Sequence, residues 1–282
     1  MLGALIIVFR EVIEAGLIVG IVLAVTKGLA GSRLAIAAGI AAGVVGASLV
    51  AAFAGAIGEA LAGVGQEIFN ATILLIAVVM LTWHNVWMAS HGRELAADVK
   101  RVGEAVRSGS QSIFALGVVC AVAVMREGSE VALFMYGLVA AGGSTATELV
   151  IGSVLGLVAG IAVSALTYLG LVAIPQRRLF AVTTGLISLL AAGLAAQAVL
   201  FLQQAGVLTM LSETAWDTSA ILSDTSLFGR VLHTLIGDSD QPSVLQVVAY
   251  CVTLAVIFAL TKTVGSRRAP AIKARGADGR LS

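Results

Sequence analysis

The sequence is poor in charged residues, prolines and cysteines, and each shortage excludes a class of protein. Only 12% of its 282 residues are charged, about half the fraction usual in soluble domains, and the net charge is +1. Three prolines and this near-neutral balance argue against a disordered chain and against a nucleic-acid-binding surface. The two cysteines, Cys120 and Cys251, lie inside apolar runs, which argues against a disulfide framework and a thiolate metal site.

Apolar residues make up 59% of the chain and the mean hydropathy is +1.03, so a water-facing globule would lack polar surface. Apolar windows of about 20 residues are long enough to cross a bilayer as helices. They predict an all-α polytopic membrane protein with seven spans, near 2–26, 34–57, 68–90, 112–140, 148–172, 180–205 and 244–264. The polar segment 206–243 is predicted to be an outer loop with one amphipathic helical stretch near 219–236.

Basic residues indicate how the chain is oriented. If the N-terminus is outside, 14 of the 17 lysines and arginines fall on the cytoplasmic side, and such a bias is a strong topology signal. These residues are Lys27, Arg33, Arg93, Lys100, Arg101, Arg107, Arg177, Arg178, Lys262, Arg267, Arg268, Lys273, Arg275 and Arg280. The sequence therefore predicts an outer N-terminus and a cytoplasmic C-terminus, with a permease domain at 1–265 and a basic cytoplasmic tail at 266–282.

A short motif occurs twice. Arg10-Glu11-Val12-Ile13-Glu14 in the first span returns 116 residues later as Arg126-Glu127-Gly128-Ser129-Glu130 in the fourth. Three crossings separate the copies, so the two helices are expected to be antiparallel. We therefore predict two inverted repeats, at about 1–90 and 112–205, with a seventh helix added. Inverted repeats with polar groups near the bilayer midplane are common in transporters.

The two motifs place six charged side chains within the membrane, where each costs about 2.5–3.5 kcal/mol unless it is paired or hydrated. Four glutamates against two arginines leave an excess of two carboxylates. Such a cluster is suited to a hard cation, because carboxylate oxygens are hard ligands. Two alternatives remain open: the Arg–Glu pairs could only fix the helices together, or the glutamates could carry protons without a metal.

Other polar and small residues give weaker signals. Glu67, at the outer end of the third span, is a candidate to pass a cation inward. Trp83, His84 and Trp87 are predicted to form an aromatic anchor at the membrane interface rather than to bind an ion. Glycines at four-residue spacing predict close helix packing, at Gly16 and Gly20, at Gly39 and Gly43, and at Gly152, Gly156 and Gly160.

The paired Arg-Glu-x-x-Glu motifs, on spans one and four of seven, resemble the iron permease family. This family comprises the oxidase-dependent iron transporters of fungi and bacterial EfeU-type members. The similarity extends through Leu81-Thr82-Trp83, Trp216-Asp217-Thr218-Ser219 and Gly229-Arg230-Val231-Leu232-His233 to Tyr250. It implies import of iron, bound by Glu11, Glu14, Glu127 and Glu130, with Arg10 and Arg126 holding the carboxylates. Ferric iron is the expected form, because hard carboxylate oxygens suit it, and ferrous iron is the alternative.

The resemblance also implies a cellular location, a substrate and partner proteins. The expected location is the bacterial inner membrane, with iron as transported substrate, no permanently bound cofactor and no enzymatic activity. A periplasmic cupredoxin-like protein and a haem peroxidase, or a multicopper oxidase, are the partners it suggests, and the glycine-rich faces are compatible with a homo-oligomer. A proton-coupled transporter of another metal, such as lead, or of another solute is the alternative. An intramembrane enzyme is disfavoured, because no Glu-x-x-His spacing typical of di-iron bundles is present.

Overall fold

The computed structural model describes residues 1–60, 65–142, 144–171, 176–218 and 240–266. Within these ranges the chain forms seven long helices and a single isolated β-bridge, between Thr214 and Ser243. The helices are α1 (Leu2–Val25), α2 (Ser32–Ala60), α3 (Gln66–Arg107), α4 (Phe114–Ala141), α5 (Ala146–Tyr168), α6 (Gln176–Gln204) and α7 (Val244–Ser266). The all-helical prediction is confirmed, and each of the seven predicted spans falls on one helix.

Five of these helices are long and apolar enough to cross a membrane: α2, α3, α5, α6 and α7. Helices α1 and α4 have comparable lengths, 24 and 28 residues, but each carries the three charged residues of one motif. The chain is therefore a polytopic membrane protein by helix length and composition. The number of seven spans stays a prediction, because it depends on placing both charged helices across the bilayer.

Helix α3 is longer than predicted, because it continues to Arg107 instead of ending near residue 90. Its 42 residues correspond to about 63 Å. Val99 and Val106 on the extension are buried in one cluster with Val22 of α1, and Gly103 contacts Val25. This apolar stripe keeps the extension helical despite its charged residues.

Two helix starts show capping chemistry that the sequence encodes. At α5, the Thr145 side chain accepts a hydrogen bond from the Glu148 N–H, while the Glu148 carboxylate accepts one from the Thr145 N–H. At α7, Ser243 and Gln246 make the same reciprocal pair. Each pair satisfies backbone donors that a helix start leaves without partners.

Helices α2 and α4 pack backbone against backbone through the predicted glycine seam. A Cβ added at Gly43 would lie 2.7 Å from the carbonyl oxygen of Ala121, and one at Gly39 would collide with the carbonyl of Gly117. The residue numbers of the contacting pairs increase together along both helices, so α2 and α4 run parallel. The close-packing prediction is confirmed for this pair of glycines.

Helices α1 and α5 form a second seam of the same kind. A Cβ at Gly156 would lie 2.5 Å from the carbonyl oxygen of Leu5, and one at Gly152 would collide with the carbonyl of Met1. Gly160 likewise approaches Val12, whereas a Cβ at Gly20 would have nothing within 4 Å. The packing prediction is thus confirmed for α5 but wrong for Gly20.

The two seams involve corresponding residues. Gly39 and Gly43 of α2 lie 113 positions before Gly152 and Gly156 of α5. The residues of α1 that these α5 glycines meet lie 116 positions before the residues of α4 that the α2 glycines meet. The larger separation is also the offset between the two charged motifs. These are the contacts expected if α1–α3 and α4–α6 were related by a two-fold axis.

Two apolar clusters lie above and below the charged motifs. One contains Ile7 of α1, Leu81 of α3 and Phe134 of α4, and the other contains Ile18 of α1 and Leu116 of α4. The motif residues fall between these clusters along both α1 and α4. The predicted amphipathic stretch near 219–236 and the tail after residue 266 lie outside the described residues.

Candidate metal site

The motif on α1 is sealed inside the helix bundle. Arg10, Glu11 and Glu14 are at most 2% exposed. The Arg10 guanidinium lies 2.9 Å from Glu14 Oε1 through Nε and 3.3 Å from Glu11 Oε1 through Nη1. One helical turn separates Arg10 from Glu14, so a single arginine can contact both carboxylates.

The motif on α4 repeats this chemistry in a more open setting. Arg126 Nε lies 3.3 Å from Glu130 Oε1 and 3.8 Å from Glu127 Oε1. The Arg126 side chain is 34% exposed, and its guanidinium carbon lies 4.3 Å from the centre of the Trp87 ring. Glu127 is buried, whereas the Glu130 side chain is 15% exposed.

His84 of α3 lies between the two motifs. Its Nε2 is 3.3 Å from Glu14 Oε2 and 3.7 Å from Glu11 Oε2, and its Nδ1 faces Glu130 Oε2. The residue is only 4% exposed. The prediction of an interfacial anchor is therefore wrong for His84, because α3 turns this side chain towards α1 and α4 rather than towards the membrane surface.

The spacing of the buried residues in α3 could have predicted that His84 faces the helix bundle. Leu74, Ala77 and Leu81 are buried, and residue 84 continues their three- and four-residue spacing on the same helical face. Nearly every residue of this span is apolar, so the buried face does not stand out in the sequence. Trp83, on another face, is 71% exposed, as expected of a membrane-facing aromatic residue.

Four side chains converge closely enough to share one ion. Glu11, His84, Glu127 and Glu130 each offer a ligand atom, and these atoms all lie within 4.8 Å of one another. Ligands on opposite sides of an ion bound at about 2.1 Å are at most about 4.2 Å apart. A contraction of about half an ångström would therefore close the group around a metal ion.

Several buried polar atoms of α1, α3 and α4 have no hydrogen-bond partner among the residues that the structure describes. They include Glu11 Oε2, Glu127 Oε2 and both polar side-chain atoms of Asn85, which is 1% exposed. Leaving a buried polar group without a partner costs about 1–3 kcal/mol, more for a charge. Such atoms are typical of a site arranged for a ligand.

Not every candidate residue belongs to this cluster. Glu67 is exposed in the first turn of α3, 17 residues before His84, which corresponds to about 25 Å along the helix. Asn70, one turn later, accepts a hydrogen bond from Gln66. The structure thus brings the four motif glutamates together around His84 but leaves Glu67 apart from them.

The family model described as the iron permease FTR1 family matches residues 1–265. The chain belongs to this family. The chain is also 33% identical over 205 residues to the ferrous iron permease EfeU of Shigella flexneri, covering 71% of this chain and 86% of the relative. The ferrous iron permease EfeU of Escherichia coli O157:H7 shows the same identity, with 74% of its length covered.

No solved structure matches the chain. Family membership confirms the resemblance seen in the two motifs, and it makes the permease a multi-pass membrane protein of iron transport and not an enzyme. The predicted roles of Glu11, Glu14, Glu127 and Glu130 stay predictions.

Proposed function

We propose that this permease imports iron across the cytoplasmic membrane and that the ion passes through the cluster formed by the two motifs. The observation that carries the proposal is the convergence of carboxylates from α1 and α4 on one buried point. Both relatives named above are called ferrous iron permeases.

The charge balance supports a cation as the solute. When all are ionised, Glu11, Glu14, Glu127 and Glu130 exceed Arg10 and Arg126 by two negative charges. An excess of this kind in a buried site is costly, and a bound cation offsets it. Arg10 and Arg126 act as supporting residues, because each holds a carboxylate of its own helix by an ion pair.

Passage requires the site to become accessible from each side in turn. Buried apolar clusters pack against α1 and α4 on both sides of the motifs, so we expect passage to require that these contacts separate. The matching seams of α1 with α5 and of α2 with α4 favour two inverted repeats that rock against each other. The excess of basic residues on one side favours an outer N-terminus and a cytoplasmic C-terminus.

The direct test is uptake of radioactive iron by proteoliposomes. The native permease should take up iron, and Glu14→Gln and Glu130→Gln should each reduce the rate by at least about tenfold, because each removes one charge of the excess. Glu104→Gln is the matched control, since Glu104 is exposed on the α3 extension and pairs only loosely with Lys100 at 3.7 Å. Native rates in both motif variants would contradict the proposal.

A proton-coupled transporter of another solute remains the second candidate, because the same glutamates could carry protons. It predicts that a folded native permease neither binds nor takes up iron. Further proposals are a role of Glu67 in collecting the ion at the outer side, periplasmic partner proteins and a homo-oligomer. The same uptake assay can test a Glu67 variant and the effect of added partner proteins.

A further inference from the structure

We propose that His84 is a nitrogen ligand of the transported ion and gives the site a preference for ferrous iron over hard cations such as Mn²⁺. The inference rests on the proposed function and identifies the oxidation state of the substrate. It is carried by the position of the imidazole, which lies between the two motifs with both ring nitrogens directed at carboxylates.

The imidazole has the geometry of a ligand. One of its nitrogens belongs to the group of atoms that lie within 4.8 Å of one another, together with oxygens of Glu11, Glu127 and Glu130. His84 comes from a third helix, so an ion held there would be contacted by α1, α3 and α4 at once. The remaining ring nitrogen could still contact a carboxylate, as metal-bound histidines commonly do.

Ligand chemistry favours a transition metal that accepts imidazole over an alkaline-earth ion. The three carboxylates of this group alone would form a hard oxygen shell suited to Mg²⁺, Ca²⁺ or Mn²⁺. Adding an imidazole raises the preference for Fe²⁺, since imidazole suits iron, nickel, copper and zinc. His84 thus supplies discrimination that the motif glutamates lack.

The charge balance points to the same oxidation state. A histidine must be neutral to ligate, so it adds no charge to the cluster. The excess of two carboxylates over Arg10 and Arg126 then equals the charge of Fe²⁺. A ferric ion would leave one uncompensated positive charge in the buried site, and tighter binding would slow its release.

The structural alternative is that His84 only bridges the helices through its carboxylate contacts. X-ray absorption at the iron edge separates the two roles, because a coordinated imidazole gives a characteristic outer-shell scattering pattern. The chain has three histidines, so replacing His91 and His233 by glutamine leaves His84 as the single imidazole. The protein is purified without a histidine tag and loaded with Fe²⁺ under anaerobic conditions.

The expected result is imidazole scattering in both the native permease and the His91→Gln/His233→Gln variant. His84→Gln should still bind iron through the carboxylates, but its preference for Fe²⁺ over Mn²⁺ in competitive uptake should fall by about tenfold or more. His91→Gln is the matched control, since His91 lies on the same helix and should leave this preference unchanged.

Iron bound without imidazole scattering, or an unchanged preference in His84→Gln, would overturn the role of His84 while leaving iron transport intact. Preferred uptake of chelated ferric iron by the native permease would overturn the oxidation state. A folded native permease that binds no iron would instead contradict the proposed function itself.

Discussion

The two motifs have the same sequence pattern but different surroundings. Arg10 and its two glutamates are sealed, with Arg10 in contact with both carboxylates. Arg126 is one-third exposed, pairs with Glu130 and, at 3.8 Å, with Glu127, and also lies over the ring of Trp87. An internal repeat therefore predicts which residues form ion pairs, but it does not predict how deeply each pair is buried.

The third helices of the repeats explain the difference. Helix α3 brings His84 and Trp87 to the motifs, whereas the middle of α6 is rich in buried alanine, at Ala191, Ala192, Ala195, Ala196 and Ala198. The polar and aromatic contacts of His84 and Trp87 thus come to the motifs from the first repeat. The carboxylates of the site come from both repeats, and its imidazole and indole contacts come from α3.

Replacing the two arginines should give the largest contrast between the motifs. Arg10→Gln leaves two buried carboxylates without their cation, so we expect a loss of about 3 kcal/mol in the free energy of unfolding. Arg126→Gln should cost about 1 kcal/mol, because Arg126 is partly exposed and its ion pairs are longer. Denaturant titration in detergent micelles measures both, and equal losses would contradict the distinction between a sealed and an open motif.

The glycine seams test whether the two repeats are equivalent elsewhere. Gly43→Ala and Gly156→Ala should each lower stability by about 1–3 kcal/mol, because the added methyl group meets a backbone carbonyl that cannot move easily. Thermal unfolding of the two variants should give similar shifts.

Gly20→Ala is the matched control for the seams, since its added Cβ has no neighbour within 4 Å. It should be neutral or slightly stabilising, as alanine favours a helix more than glycine does. A loss of stability in only one of the two seam variants would show that the repeats are not equivalent in packing.

The smallest effect is expected at Trp87. Trp87→Leu removes the aromatic face under Arg126, and a cation–π contact at a partly exposed site contributes about 1 kcal/mol. Trp83→Leu is the control, because Trp83 is mostly exposed and should change stability by less than about 0.5 kcal/mol. If both variants behave alike in the same unfolding assay, the contact with Arg126 contributes nothing measurable.

Sequence reasoning predicted the helices, the repeated motif and most of the close glycine contacts. These follow from local patterns: apolar length, a repeated string and four-residue spacing. It failed for His84, because in the mostly apolar span of α3 the spacing does not distinguish the face that meets protein from the face that meets lipid. It also missed the extension of α3, whose helicity depends on Val99 and Val106 packing against another part of the chain.

The most direct test of the central claim is to locate the ion itself. Crystals of the permease soaked anaerobically with Fe²⁺, with data collected on both sides of the iron edge, would give an anomalous difference map. We predict one iron peak about 2.1 Å from carboxylate oxygens of both α1 and α4, next to His84. A peak bound by one motif alone, or an iron site away from Glu11 and Glu127, would contradict the account.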